Sequence, residues 1–243
     1  MKSIVIIQAR MGSERLPGKV LLPLGSSVIL DYVVSRCRAI PEIAEVIVAT
    51  SILEPDEAIA DWCKENGVPC FRGSEDDVLS RYYECAKPYR PDYVLRVTAD
   101  CPFVDYEMAA QMIRLMEEYP SDMVQIMNED GLTRGLVVEM VSFGTLEYMY
   151  RHSKEPRHRE HVTYYAKEYP QQFKLPPYMP PAYMHHPQLR ITVDTTADYD
   201  LCRALVAQAG NDKLILSRDI VGLLLKHPEI AALNAHISQK PVV

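Results

Sequence analysis

The chain opens with an apolar strand that leads directly into a basic loop. Residues 3–7 read Ser-Ile-Val-Ile-Ile, a largely apolar run with the length and composition of a buried strand. The loop that follows, residues 8–19, holds two glycines, a proline and three cations. In α/β folds, the loop that leaves the carboxyl end of a strand at the centre of the sheet is where ligands bind. This opening therefore predicts an α/β sheet with a binding site at that edge.

The residue types in this loop suit a polyanion. Gly12 and Gly18 permit positive φ angles and close approach of the backbone, so that exposed N–H groups can cradle phosphate oxygens. Arg10, Arg15 and Lys19 oppose the roughly four negative charges of a nucleoside triphosphate. The loop is not a Walker A sequence, because five residues separate the glycines and a valine follows the lysine. On the loop alone, a basic surface turn is the alternative.

Strand and helix patterns alternate through the first half of the chain. Strands are predicted at residues 3–7, 45–49, 70–71, 92–98 and 122–127. Helices are predicted between them at residues 28–40, 55–66, 76–86 and 106–118. This rhythm predicts a mostly parallel sheet in an α/β fold.

The pattern changes in the second half. Residues 136–143 predict an antiparallel strand and residues 189–193 a further strand, with helices at 145–152, 160–167, 197–209 and 217–225. Residues 174–187 hold five prolines, which predicts an extended arm or flap. We expect one domain that spans residues 1–243.

Composition narrows the class of protein. The 243 residues are 48% apolar and 24% charged, as in globular chains, and the net charge is −7. An acidic balance disfavours nucleic-acid binding, which needs a basic surface. The six cysteines form no C-x-x-C pair, and no apolar run is long enough to span a membrane. The start of the chain does not read as a secretory signal. We therefore expect a cytoplasmic protein that binds neither nucleic acid nor membrane.

The opening loop resembles that of the cytidylyltransferases typified by the spore-coat polysaccharide biosynthesis protein. Residues 6–19 meet every fixed position of the signature I-x-Q-A-R-x-x-S-x-R-L-P-G-K. The resemblance continues through residues 72–83, 96–102, 159–163 and 190–195, and it extends to the CMP-Kdo and CMP-sialic acid synthetases. It implies a three-layer, Rossmann-like nucleotide-diphospho-sugar transferase fold with a mixed, mostly parallel sheet. It also implies that CTP is the nucleotide substrate.

Two aspartates are candidate metal ligands. Asp100 and Asp194 each follow a predicted strand, so they are expected to converge at the same edge of the sheet. Mg²⁺ takes one or two carboxylates together with phosphate oxygens and water. From spacing alone, each aspartate is at least as well explained as a helix cap. The resemblance implies that both bind Mg²⁺ and that they act in catalysis together with Arg10 and Lys19.

The nucleotide site is expected to draw on three strand ends. The predicted set is Gln8, Ala9, Arg10, Gly12, Ser13, Arg15, Lys19, Thr50, Ser51, Arg72, Gly73, Ser74 and Arg81. Short hydroxyls and backbone groups at these ends suit the reading of a pyrimidine. Alternatives remain for three members: Ser74 as a helix N-cap, Arg72 paired with Glu75, and Arg81 paired with Asp77.

The acceptor side is less well defined. The resembled family usually reads G-x-D-x-E where this chain reads Gly135-Leu-Val-Val-Glu139, so Val137 replaces the expected aspartate. The resemblance implies that Glu139 binds the acceptor, and Arg159 and His161 are candidates to meet an anionic acceptor. The alternatives are a solvent-facing position for Glu139 and a surface turn at Arg159 and His161.

These observations predict a Mg²⁺-dependent cytidylyltransferase that moves CMP from CTP to a sugar-like acceptor for surface polysaccharide or glycoconjugate synthesis, with release of pyrophosphate. A uridylyl- or guanylyltransferase and a nucleotide-sugar glycosyltransferase are alternatives on the same fold. The third alternative is a non-catalytic nucleotide-binding protein of the pathway. The resembled sugar-activating enzymes are often dimers, so a homodimer is expected.

Overall fold

A five-stranded sheet forms the centre of the computed structural model, which describes residues 1–238. With the strands numbered along the chain, their spatial order is β5 (Cys70–Gly73), β4 (Ile43–Ser51), β1 (Ser3–Gln8), β6 (Tyr93–Thr98) and β8 (Glu139–Ser142). The first four run parallel, and β8 pairs antiparallel with β6. The prediction of a mixed, mostly parallel sheet is confirmed, including its antiparallel strand within residues 136–143.

Helices cover both faces of the sheet. In chain order they are α1 (Ile29–Arg38), α2 (Glu57–Glu65), α3 (Val78–Ala86), α4 (Tyr106–Glu118), α5 (Phe143–His152), α6 (Pro156–Glu160), α7 (Tyr164–Glu168), α8 (Thr196–Gln208), α9 (Ser217–Lys226) and α10 (Pro228–Ala231). Side chains alternate across each strand, so Val5 and Ile7 pack into one apolar core while Ile4 and Ile6 pack into another. The predicted three-layer architecture is confirmed. No helix within residues 1–238 is long and apolar enough to cross a membrane.

Two short ribbons lie outside the central sheet. β2 (Pro23–Leu24) and β3 (Ser27–Val28) form an antiparallel hairpin just after the basic loop. β7 (Gln125–Ile126) pairs in parallel with β9 (Pro177–Tyr178). The predicted strand at residues 122–127 is therefore shorter than expected and does not join the main sheet. It touches β8 only through a single bridge, Met123 to Val141, before it turns towards β9.

The predicted strand at residues 189–193 is wrong. The ladder of this segment is limited to one parallel bridge between Arg134 and Arg190, and the Val193 N–H donates separately to the Asp100 carbonyl at 2.8 Å. The backbone N–H of Arg134 donates to the Leu189 carbonyl, and the N–H of Ile191 donates to the Arg134 carbonyl. Beyond this bridge, Gly135 adopts φ +104°, which is outside the extended conformation of a strand. The extended segment still places Asp194 at the carboxyl edge of the sheet.

Local geometry also corrects two helix predictions. Residues 160–167 do not form one helix, because His161 adopts φ −105°, ψ 79° and separates α6 from α7. Ser74 is not the N-cap of α3; the Asp77 side chain accepts a hydrogen bond from the Ser80 N–H and caps that helix. Ser74 instead accepts a hydrogen bond from the Asp77 N–H one turn earlier.

The proline-rich segment at residues 174–187 packs against the body of the protein. Tyr178 is buried and donates a hydrogen bond of 2.7 Å to Gln111 on α4. Tyr183 donates to Asp105 at 2.6 Å, and Met184 is fully buried. Met179 is a large apolar side chain of this segment that faces solvent, at 65% exposure.

Replacing Gly135 tests its close backbone contact with Ile191 and Thr192, which lie just before Asp194. A Cβ at this position would lie 2.8 Å from the Thr192 backbone nitrogen and 2.9 Å from the Ile191 carbonyl carbon. Because both atoms are backbone and φ is positive, we expect Gly135→Ala to lower the free energy of unfolding by about 3 kcal/mol. Gly67→Ala is the matched control: φ is +59° there, but no atom lies within 4 Å. Urea unfolding should show that the control loses only about 1 kcal/mol of the free energy of unfolding. Equal losses for the two variants would contradict the proposed clash.

Candidate active site

A cleft of about 830 Å³ opens at the carboxyl ends of β1 and β6. Its floor is formed by the strand ends, where Gln8 and Thr98 lie opposite each other in the parallel register. The basic loop, the start of α3 and the end of α6 form its walls. The edge of the sheet that the opening sequence singled out is therefore the edge that carries the cleft.

Lys19 joins the two predicted metal ligands at the centre of this cleft. Its Nζ donates to Asp100 Oδ2 at 2.7 Å and to Asp194 Oδ1 at 2.8 Å. The residue is only 8% exposed. It lies directly after Gly18, whose φ of 69° turns the loop into a short 3₁₀ turn. The structure thus brings together Lys19, Asp100 and Asp194, which the sequence places far apart.

Charge compensation keeps these groups ionised. Burial by itself lowers the pKa of the Lys19 ammonium, but the two carboxylates outweigh it and raise that pKa above its usual value. Burial likewise opposes ionisation of Asp194, yet Lys19, Arg190 and Arg15 hold the pKa of its carboxyl below the usual range. At neutral pH, Lys19 therefore carries a positive charge beside an ionised Asp194.

A buried network fixes Asp194 from behind. Arg190 donates to Asp194 Oδ2 at 2.5 Å and to Asp198 Oδ1 at 2.8 Å. Asn234 in turn donates to Asp198 at 2.7 Å and to the Arg190 carbonyl at 3.0 Å. Asp198 also completes a capping box with Thr195 at the start of α8. No sequence pattern singles out Asn234, because its partners lie 36 and 44 positions earlier.

Seven of the predicted nucleotide-binding residues line the cleft. They are Gln8, Ala9, Arg10, Ser13, Arg15, Lys19 and Arg81. Gln8 Oε1 is buried with no hydrogen-bond partner among residues 1–238, so an acceptor atom is available at the floor. Arg81 is 3% exposed and donates to the Ser74 carbonyl at 2.7 Å; the predicted alternative of an ion pair with Asp77 is not formed.

The other predicted nucleotide residues lie outside the lining of the cleft. They are Gly12, Thr50, Ser51, Arg72, Gly73 and Ser74. Arg72 points away from it, where it pairs with Glu57 rather than Glu75 and donates to the Ser51 and Leu53 carbonyls. Ser51 is fully buried and donates to Asp56.

Asp56 is a residue that the sequence analysis missed. It is buried and accepts a hydrogen bond of 2.6 Å from the Met11 backbone N–H. It also accepts from the N–H and the hydroxyl of Ser51 at 3.2 and 2.5 Å. Asp56 therefore ties the basic loop to the end of β4, and Ser51 supports the loop through it.

The three predicted acceptor residues have different surroundings. Arg159 and His161 line the cleft from the end of α6. Arg159 is engaged, since it donates to the Tyr150 carbonyl and forms an ion pair with Asp77. Burial lowers the pKa of His161. Glu139 lies behind the cleft wall, where its side chain is 8% exposed and paired with Arg96 and Lys167.

The sequence relationship decides the family. A family model described as cytidylyltransferase matches residues 4–216. The chain belongs to the cytidylyltransferase family. It is 36% identical over 233 residues to the spore coat polysaccharide biosynthesis protein SpsF of Bacillus subtilis, an alignment that covers 94% of this chain and 96% of the relative. The predicted resemblance is thereby confirmed.

Solved structures share the fold of this cytidylyltransferase family member. A cytidylyltransferase from Leptospira borgpetersenii superposes with a TM-score of 0.89 at 30% identity, covering 99% of this chain and 100% of that one. CMP:2-keto-3-deoxy-manno-octonic acid synthetase, solved in complex with CTP, gives a TM-score of 0.66 at 17% identity, covering 86% of this chain and 100% of that one. At that identity, the second match supports the α/β architecture alone.

The residues at the centre of the cleft fit a hard divalent cation. Asp100 and Asp194 each accept a hydrogen bond from the same nitrogen, Lys19 Nζ, so their carboxylates face a common position. Residues 1–238 contain no group of three or more His, Cys, Asp or Glu side chains that could hold a metal ion. Mg²⁺ does not require one, since it is commonly bound by one or two carboxylates plus phosphate oxygens and water. Asp100 and Asp194 match that donor set.

Proposed function

We propose that this protein transfers CMP from CTP to a hydroxyl group of a sugar or sugar-like acceptor and releases pyrophosphate. The observation that carries the proposal is the convergence of Lys19, Asp100 and Asp194 in a cleft whose rim holds Arg10 and Arg15. Such a site places cations against a triphosphate and carboxylates where a metal ion would bind. The family relationship supports CTP as the donor, and the relative complexed with CTP has the same architecture.

In the proposed reaction, an acceptor oxygen attacks the α-phosphorus of CTP in line. The bond from that phosphorus to the bridging oxygen breaks, pyrophosphate leaves, and the hydroxyl proton passes to water. Arg10, Arg15 and Lys19 bind the β- and γ-phosphates and so stabilise the leaving group. Mg²⁺ held by Asp100 and Asp194 would supply Lewis-acid stabilisation of the α-phosphate charge. The remaining contribution of the chain is orientation of the two reactants.

Base selection is assigned to the floor of the cleft. Gln8 presents a buried amide oxygen with no hydrogen-bond partner within residues 1–238. Ala9 follows Gln8 in the chain, and the Ala9 N–H donates a hydrogen bond to the Ala49 carbonyl, which fixes the end of the strand. A pyrimidine that donates to the Gln8 oxygen would satisfy an otherwise costly buried acceptor. The exocyclic amine of cytosine is such a donor, whereas uracil has an oxygen at that position.

The alternative of a glycosyltransferase has less support. Asp198-Tyr199-Asp200 matches a D-x-D pattern, but the two carboxylates do not form a metal site. Asp198 is fully buried and paired with Arg190, while Asp200 is exposed and paired with Arg203.

We also propose that the protein acts in the cytoplasm, as a homodimer, in synthesis of a surface polysaccharide. The relationship to SpsF supports the pathway. Light scattering that gives a monomer at micromolar concentration would refute the dimer.

Nucleotide selectivity tests the proposed donor. Thermal unfolding is measured with CTP, UTP, GTP or ATP, each with and without Mg²⁺. CTP at about one hundred times its dissociation constant should stabilise the protein by roughly 2.7 kcal/mol, and Mg²⁺ should strengthen the effect. Gln8→Ala should reduce the preference for CTP over UTP, whereas Gln188→Ala, at an exposed position, should leave it unchanged. A larger shift with another nucleotide would overturn the assignment of CTP.

A further inference from the structure

Arg96 is a half-buried cation that lines the cleft and has a donor, Nε, that is unpaired within the described part of the chain. It lies on β6, two residues before Thr98, and both residues line the cleft. The Arg96 side chain is 18% exposed. Its Nε is buried and has no hydrogen-bond partner among residues 1–238. An unsatisfied buried donor is costly, so a ligand that accepts from it would recover a large part of that cost.

Glu139 holds Arg96 from the neighbouring strand. The two residues are directly opposite in the antiparallel register of β6 and β8, so their side chains share one face of the sheet. Arg96 Nη1 donates to Glu139 Oε2 at 2.5 Å. The second oxygen of Glu139 lies 2.7 Å from Lys167 Nζ, which also pairs with Glu129. Both carboxylate oxygens are therefore occupied by cations.

Because both oxygens of Glu139 are paired, its surroundings do not suit the acceptor-binding role expected from the sequence. A carboxylate with both oxygens engaged and only 8% side-chain exposure is poorly placed to bind a sugar. The charges of Arg96 and Lys167 overcome the effect of burial and hold the pKa of Glu139 well below its usual range. Glu139 therefore remains ionised and fixes one edge of the Arg96 guanidinium. On the other edge of that planar group, Nε has no hydrogen-bond partner among residues 1–238, and Arg96 lines the cleft.

The surroundings of Arg96 favour an anion. His161 lines the same wall, and the Arg96 charge is one of the influences on its pKa. Arg159 lies on the same wall, but it already forms an ion pair with Asp77 and donates a hydrogen bond to the Tyr150 carbonyl. Guanidinium groups bind carboxylates and phosphates through paired N–H donors. A neutral acceptor would offer Arg96 weaker partners.

We propose that Arg96 binds an anionic group of the acceptor, a carboxylate or a phosphate, and that Glu139 is the positioning residue that orients Arg96 for this contact. The proposal rests on the proposed transfer reaction only in treating the bound molecule as the acceptor. Binding of the anion itself requires no turnover. The acceptor contact expected of Glu139 from the sequence is thereby reassigned to its partner on β6.

Charge selectivity measured without turnover tests this assignment. The full chain is saturated with CMP, which cannot donate a nucleotidyl group, and titrated calorimetrically with mannose, mannuronate and mannose 6-phosphate. At least one of the two anionic sugars should bind about tenfold tighter than mannose, as expected for a hydrogen-bonded charge. The two arms distinguish a carboxylate from a phosphate. The absence of any preference for either anion in the wild type would overturn the proposal.

Three variants locate the preference. Arg96→Met should abolish it, and Arg114→Met, at an exposed position on α4, should retain it. Arg15→Met controls for capture of the anion in the triphosphate region; loss of the preference there, with retention in Arg96→Met, would contradict the assignment. If Arg96→Met does not fold, Arg96→Lys serves instead and should weaken the preference, because lysine lacks the planar fork.

The role of Glu139 is tested by a double-mutant cycle. Glu139→Gln should reduce the anionic-to-neutral affinity ratio by about threefold to tenfold, and adding it to Arg96→Met should have no further effect. A general loss of stability would weaken all three sugars equally and leave the ratio unchanged. Failure of CTP to bind would refute the proposed donor, whereas the Arg96 comparison can still be made on the nucleotide-free protein.

Discussion

Asp100→Asn is expected to reduce turnover by at least about 10²–10³-fold while the protein stays folded. Asparagine keeps the shape of the side chain and can still accept the hydrogen bond from Lys19, which is 2.7 Å away in the wild type. What it removes is the negative charge that would hold Mg²⁺ against the α-phosphate. Pyrophosphate release from CTP, followed over a panel of acceptors, measures the loss. Asp194→Asn should have an effect of similar size, since both carboxylates face the same position.

The fold is expected to tolerate this change. The Asp100 side chain is 24% exposed, and its main partner, Lys19, keeps its contact with Asp194. Asp61→Asn, at an exposed site on α2, is the matched control and should leave both turnover and the urea midpoint unchanged. Near-normal activity of Asp100→Asn, with an unchanged dependence on Mg²⁺ concentration, would refute the metal assignment. Rescue at raised Mn²⁺ concentration would show that weakened metal binding causes the defect.

The part of the site that the sequence predicts is the part made from strand ends and their loops. The apolar run before Gln8 and the run before Asp100 are long enough to be recognised as buried parallel strands, and the carboxyl ends of parallel strands lie at one edge. That rule alone brings Lys19 towards Asp100. Helix α4 was likewise predicted at its observed bounds, because its apolar spacing is regular over three turns.

The sequence fails where position depends on one distant contact. Residues 189–193 have the composition of a strand, but their ladder is limited to the single bridge to Arg134, and Val193 bonds to the Asp100 carbonyl instead. The support of Asp194 by Asn234 and of the basic loop by Asp56 is equally non-local. Such side-chain hydrogen bonds follow no period along the chain, so no spacing rule detects them. They appear only when the fold is known.

Lys19 also balances the charge of the two carboxylates at the centre of the cleft. Two carboxylates at one position repel each other, and the ammonium between them compensates both charges. When a triphosphate and Mg²⁺ enter, the nucleotide supplies negative charge and the metal supplies positive charge. The same lysine can then serve the phosphates. Lys19 is therefore the internal counter-ion of the two carboxylates, and in the proposed complex it would also bind the β- and γ-phosphates.

Lys19→Met is accordingly expected to have two separable effects. The free energy of unfolding should fall by about 2 kcal/mol, less than for a fully buried ion pair because both carboxylates are partly exposed. Added Mg²⁺ should restore more stability to the variant than to the wild type, because the cation then replaces the missing charge. Urea unfolding with and without Mg²⁺ measures this. Lys64→Met, at an exposed position on α2, should show neither effect.

The second effect concerns the nucleotide. Lys19→Met should weaken binding of CTP by about tenfold or more and binding of CMP by much less, since only CTP carries the phosphates that the ammonium contacts in the proposed complex. Calorimetric titration with both nucleotides gives the two losses directly. Equal losses for CTP and CMP would place Lys19 near the α-phosphate or the ribose. A variant that binds CTP normally would limit Lys19 to its counter-ion role, and the triphosphate would then depend on Arg10 and Arg15.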